Sequence, residues 1–223
     1  MLEKMIKVKA SDGHTFDAFR ATPSDDVKGG LVVLQEIFGM TEQLKNVTRY
    51  WAGQGYDTIL PAMYDRITPE TVLSFDDMEG AQAMAKQLNA DVVLNDVTAS
   101  VAAVESNKGV SIVGFCWGGG AAARMAGILD LKGAVAYYGT MLTNNAAGGA
   151  KCATLFHFGA NDQHSPPEII EELKVNIPDA ESYIYNAGHA FANDERPNFY
   201  VEDATLEARL RTLNFLNRVH GAS

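Results

Sequence analysis

Val110-Ser111-Ile112-Val113-Gly114-Phe115-Cys116-Trp117-Gly118-Gly119-Gly120 is the stretch on which the reading of this sequence turns. An apolar, β-branched run enters Gly114-Phe115-Cys116-Trp117-Gly118, and the Ala/Gly/Met-rich segment from Gly119 to Leu129 suits a helix. The order is strand, sharp turn, helix. A glycine two positions either side of one reactive side chain is the G-x-S-x-G elbow with cysteine in the serine position. Such a turn forces its central residue into strained backbone angles, so its neighbours must lack side chains. Cys116 would then stand at the sheet end, facing a helix N-terminus whose unsatisfied N–H groups stabilise an anion. Two other readings compete: an inert packed cysteine, or a phosphate-cradling turn. The second lacks both the G-x-G-x-x-G fingerprint and a Walker lysine.

Around this stretch the composition sets limits. The 223 residues are enough for one large α/β domain, residues 1–223, with a sizeable core. A net charge of −10 argues against nucleic acid or an anionic membrane as partner, since both need clustered Lys and Arg. The N-terminus has no sustained apolar run and no window is long enough to span a membrane, so a cytoplasmic protein is expected. The two cysteines, Cys116 and Cys152, are not expected to pair there.

Taken in order, Met5–Lys9 and Thr15–Ala21 read as a hairpin, and Gly30–Gln35 as a buried strand. That strand ends at Glu36-Ile37-Phe38-Gly39, before a helix from Glu42 to Gln54. Tyr56–Pro61 reads as the next strand, Met63–Asp77 as irregular, and Met78–Leu88 and Asp91–Glu105 as helices. Gly133–Tyr138, Ala153–Phe158 and Ser182–Tyr185 are further strands, with a helix from Glu168 to Val175 between the last two. A final helix from about Glu202 to Val219 carries Leu206, Leu210, Leu213 and Leu216, read as its core stripe. The alternation predicts a mainly parallel sheet flanked by helices.

Three polar residues fall just beyond predicted strand ends, in the order Cys116, Asp162, His189. Nucleophile, acid, histidine is the chain order of α/β-hydrolases and differs from that of either major serine-protease fold. In that chemistry the cysteine attacks a carbonyl, the histidine moves the proton, and the carboxylate fixes its tautomer. Each has a plainer alternative: Asp162 as a helix cap, His189 as a turn histidine. His157, in mid-strand, reads as a core histidine. His164 competes for the base role but shares the acid's loop. His157, Asp162 and His164 lack a standard zinc spacing, so neither metal nor cofactor is expected. Cys152 at a strand start reads as packing.

Gln35-Glu36-Ile37-Phe38-Gly39, Gly114-Phe115-Cys116-Trp117-Gly118-Gly119, Gly159-Ala160-Asn161-Asp162 and Ala187-Gly188-His189-Ala190-Phe191 together resemble the signature segments of the dienelactone hydrolase (carboxymethylenebutenolidase) family. The resemblance implies an α/β-hydrolase fold and a triad of Cys116, Asp162 and His189. It implies an oxyanion hole from the backbone N–H groups of Ile37 and Trp117. Glu36 would hold the cysteine as a thiol at rest and help deprotonate it when substrate arrives. The implied reaction is hydrolysis of an enol-lactone through a thioester, without a cofactor, by a monomer or small homo-oligomer. A general carboxylesterase or thioesterase on the same scaffold, and a redox or electrophile sensor built on Cys116, are the alternatives. One departure concerns substrate binding. Family members that take a carboxylate-bearing lactone have an arginine four residues after the histidine, where this chain has Asn193; Arg196 and Arg66 are the candidates to replace it.

Overall fold

A computed structural model describes residues 1–222. The chain forms two compact units, Met1–Val110 and the part from Ser111 onward. In the first, β1 (Leu2–Lys9) and β2 (Thr15–Thr22) make the expected antiparallel hairpin. β2 pairs antiparallel with β4 (Tyr56–Pro61), and β4 pairs parallel with β3 (Gly29–Leu34), giving the order β1-β2-β4-β3. β3 and β4 are buried at every residue, which is why they read as continuous apolar runs rather than alternating ones. Between them α1 (Glu42–Gly53) starts at Thr41, whose side chain accepts from the Leu44 N–H at 3.3 Å. A 3₁₀ turn over Met63–Arg66 interrupts the segment expected to be irregular. α2 (Met78–Ala85) and α3 (Ala90–Ala103), the latter capped by Asn89, complete the unit.

The second unit is wholly parallel. β5 (Val110–Phe115), β6 (Gly133–Tyr137), β7 (Ala153–Gly159) and β8 (Glu181–Tyr185) lie side by side in chain order, bringing the mainly parallel sheet to eight strands. Their C-terminal ends therefore point the same way, and the loops that leave them share one edge. The helices are α4 (Trp117–Ala126), a short α5 (Leu142–Asn145), α6 (Ile170–Asn176) and α7 (Glu202–His220). No helix among the described residues is long and apolar enough to cross a membrane.

The leucine stripe of α7 departs from the sequence reading. Leu206 and Leu210 are 55% and 58% exposed, and of the four leucines only Leu216 is fully buried. The inward face is Ala204, Thr205, Ala208, Thr212, Phe215 and Leu216. It is made largely of small residues because the helix lies close to the sheet: a Cβ on Gly133 would sit 2.7 Å from the Phe215 ring.

Candidate active site

β5 turns into α4 at Cys116, which has φ 53° and ψ −116°, a conformation that non-glycine residues rarely adopt. The surroundings hold it there. Its N–H donates to the Tyr137 carbonyl at 3.0 Å, and its own carbonyl accepts from Thr140 N–H at 3.0 Å and Gly120 N–H at 3.2 Å. The glycines are required by space: a Cβ on Gly114 would overlap the Gly118 carbonyl, and one on Gly119 would lie 2.8 Å from the Gly139 Cα. The strain at one residue is thus held by backbone contacts from α4 and the β6 end. Trp117 is the first residue of α4, so its N–H has no acceptor within the helix.

Asp162 and His189 arrive on the loops after β7 and β8. The two loops are tied together, because Asn161 N–H donates to the Ala187 carbonyl at 2.9 Å. Asp162 is buried; its Oδ1 accepts from the backbone N–H groups of His164 (2.8 Å) and Ser165 (3.1 Å). Its Oδ2 lies 2.8 Å from His189 Nδ1, and His189 Nε2 lies 3.2 Å from Cys116 Sγ. With Nδ1–H donating to the carboxylate, the other ring nitrogen faces the sulfur. The three residues named from chain order therefore form one hydrogen-bonded line.

The electrostatics follow from these neighbours. Burial by itself pushes the His189 pKa down, but hydrogen bonds and charge from Asp162 and Cys116 outweigh it and raise the imidazole to about 10. Burial pushes the Asp162 carboxyl up, and the opposing hydrogen bond and charge of His189, with the two backbone donors, bring it below the ordinary carboxylate range. The site favours charge on both.

The other histidines separate cleanly. His164 is exposed and packs edge-on against the His189 ring, with centroids 5.0 Å apart; its backbone N–H, not its ring, is bonded to the acid. His157 is in the core, bonded through Nδ1 to the Tyr185 hydroxyl at 2.8 Å and through Nε2 to Thr212 Oγ1 at 2.9 Å. Cys152 is half-buried, and burial raises its thiol to about 11, which suits packing rather than reactivity. Among the described residues no group of three or more His, Cys, Asp or Glu side chains is arranged to hold a metal ion. Sequence reasoning missed Tyr138. It follows β6 with φ 38°, and its ring meets the His189 ring edge-on at 5.1 Å; no motif marked it.

In the first unit Glu36 is 3% exposed, just past the end of β3. The following turn is fixed by Tyr64, whose hydroxyl donates to the Ile37 carbonyl at 2.6 Å, and by Gly39 at φ 91°. Arg66 is engaged within the protein. Its guanidinium is bidentate on Asp96, at 2.9 and 2.7 Å, and also 2.7 Å from Asp12. Asn193 is buried, with Oδ1 accepting from Glu195 N–H at 3.2 Å, and Arg196 stacks on the Phe199 ring at 4.1 Å.

A cysteine at a strand-to-helix elbow, with its acid and histidine on later strand ends of a parallel sheet, belongs to the α/β-hydrolase fold. Comparison with known proteins narrows the class. The chain belongs to the dienelactone hydrolase family, whose model matches residues 16–220 and so spans both units. It is 31% identical over 229 residues to a carboxymethylenebutenolidase of Pseudomonas putida and 28% identical over 228 residues to carboxymethylenebutenolidase 1 of Cupriavidus pinatubonensis; 97% of each chain is covered in both cases. A crystal structure from Klebsiella pneumoniae, provisionally named a dienelactone hydrolase, superposes with a TM-score of 0.84 at 25% identity, covering 97% of this chain and 99% of that one. The protein is a hydrolase that acts on ester bonds.

Proposed function

We propose that the protein hydrolyses an enol-lactone through a thioester on Cys116, with His189 as the proton carrier and Asp162 as its orienting partner. The observation that carries this is the 3.2 Å separation of His189 Nε2 and Cys116 Sγ, in line with the 2.8 Å bond to Asp162. In this reading the sulfur attacks the lactone carbonyl and the C–O bond of the ring breaks. The enolate that leaves takes up a proton. Water, relieved of a proton by His189, then attacks the thioester; the C–S bond breaks and Cys116 regains its proton.

The proton affinity of His189 suits both halves. Before acylation an anionic sulfur and a carboxylate both favour the imidazolium. In the thioester the sulfur is uncharged, so one of the two raising influences is gone and the imidazole is freer to accept a proton from water. The family pattern assigns Glu36 to the opposite task at rest, keeping the sulfur protonated and less open to oxidation. By the same pattern the N–H groups of Ile37 and Trp117 receive the oxyanion. The substrate is a small molecule, and the reaction needs no cofactor.

A second reading, a carboxylesterase for uncharged esters on the same scaffold, is favoured by one observation. The arginine four residues after the histidine is replaced by Asn193, while Arg66 is already neutralised by Asp96 and Asp12. The deciding assay is kcat/KM for a carboxylated enol-lactone beside a neutral ester of similar size, in wild type, Arg66→Ala and Arg196→Ala. If the acidic lactone is the substrate, it is preferred. One of the two arginine variants then loses about 1.5–3 kcal/mol of transition-state binding for it alone. Absence of any preference for the carboxylate in wild type contradicts the enol-lactone assignment and leaves the esterase.

A further inference from the structure

α7 is apolar on two opposite sides, and only one of them has a partner in the fold. The inner side is the buried row of Ala204, Ala208, Phe215 and Leu216. On the outer side Leu206 and Leu210 are mostly exposed, Leu213 is half-buried, and Asn217 follows. Single exposed leucines are ordinary on a protein surface. These are not scattered. Their steps of four, three and four residues are those of a coiled-coil seam, and at 100° per residue they fall within about 60° of one another on the helix surface. A polar Asn in such a seam is a device that fixes register.

We propose that this face docks on the same face of a second copy of the chain, with the two α7 helices antiparallel across a two-fold axis. The charges choose the occupant and its direction. The N-terminal part of α7 carries Glu202, Asp203 and Glu207, and the later part carries Arg209, Arg211 and Arg218. Antiparallel packing sets each acidic end against the other copy's basic end, whereas parallel packing would align like with like. The stripe is also symmetric about Leu210. With Leu210 on the axis, Leu206 meets Leu213 of the other copy and Asn217 meets Asp203, so every contact made once is made twice. An anionic membrane is disfavoured by the acidic flank and by the net charge of −10.

The test is analytical ultracentrifugation of the whole protein from micromolar to millimolar concentration, with two sets of variants. Wild type should show a monomer–dimer equilibrium. The exposed double substitution L206E/L210E should weaken it by at least about 100-fold, with the melting temperature and kcat/KM of the monomer retained. L210C, which places a sulfur on the axis, should form a disulfide-linked dimer under mild oxidation, whereas N217C, off the axis, should not; wild type with its native cysteines is the blank. A wild type that stays monomeric throughout overturns the proposal. So does a double variant that dimerises as tightly as wild type, or a dimer in which L210C fails to cross-link. The cross-linking arm rests on a near-native chain, so it decides the matter even if the double variant folds poorly.

Discussion

His189 and His157 are both deep in the second unit, and they titrate in opposite directions. His189 is raised to about 10 and His157 is held down to about 3. Burial pushes both toward the neutral form. At His157 nothing opposes it: the ring is bonded to two hydroxyls, which cannot offset the loss of hydration of a charge, and the Arg211 guanidinium adds to the penalty. At His189 a carboxylate and a sulfur flank the ring and reverse the sign. Burial alone makes a histidine a structural hub. An anion on either side makes it an acid–base group.

The comparison can be broken at three points. His189→Gln keeps an amide that can bond to Asp162 but carries no titrating nitrogen; ester kcat/KM should fall roughly 100- to 10,000-fold while the protein stays folded. His157→Gln should do the reverse, costing about 1–3 kcal/mol of stability in urea denaturation through its unmatched buried hydroxyl partners, with turnover per folded molecule nearly unchanged. A comparable loss of kcat/KM in both variants would erase the distinction.

The pH dependence of stability is the finer test. His189 is raised above the ordinary 6.5, so its contribution is fully present below that value and is lost as pH rises through about 10. His157 is lowered, so the unfolded chain takes up a proton that the folded chain refuses, and stability falls as pH drops from 6.5 toward about 3. Relative to wild type, His189→Gln should therefore flatten the alkaline side of the profile and His157→Gln the acid side. Each effect should amount to a few kcal/mol at most, on the order of one to two per titration step. Denaturation midpoints measured across that range check it; the same limb flattening in both variants would contradict the assignment.

Much of this was readable in the residues because the constraints are local. Gly114, Cys116 and Gly118 stand within five residues of one another, and the clash that a Cβ on Gly114 would meet comes from Gly118 itself. β3, β4 and β5 are buried at every position, and a continuous apolar run is all that such a strand needs. α7 was misread for a physical reason. Its leucine periodicity is real, but the face that meets the sheet is chosen by closeness to Gly133, where Ala204, Ala208 and Thr212 fit and leucines would not. Hydropathy undervalues those small residues. α5 had no signal, since Leu142–Asn145 lies in an Asn- and Ala-rich stretch and is entered through Met141 in a left-handed conformation. The commitment of Arg66 was equally hidden, because its partners Asp12 and Asp96 are 54 and 30 positions away in sequence.

The central claim, that Cys116 carries the acyl group, is tested most directly by acid-quenching the enzyme during turnover of a slowly hydrolysed ester and locating the acyl mass by peptide mapping. The account predicts a hydroxylamine-sensitive adduct on the peptide containing Cys116, enriched in His189→Gln if deacylation is slowed more than acylation. Cys116→Ala should carry no adduct and show no hydrolysis above background. An adduct on another residue, or an alanine variant that retains a substantial share of wild-type kcat/KM, would contradict it.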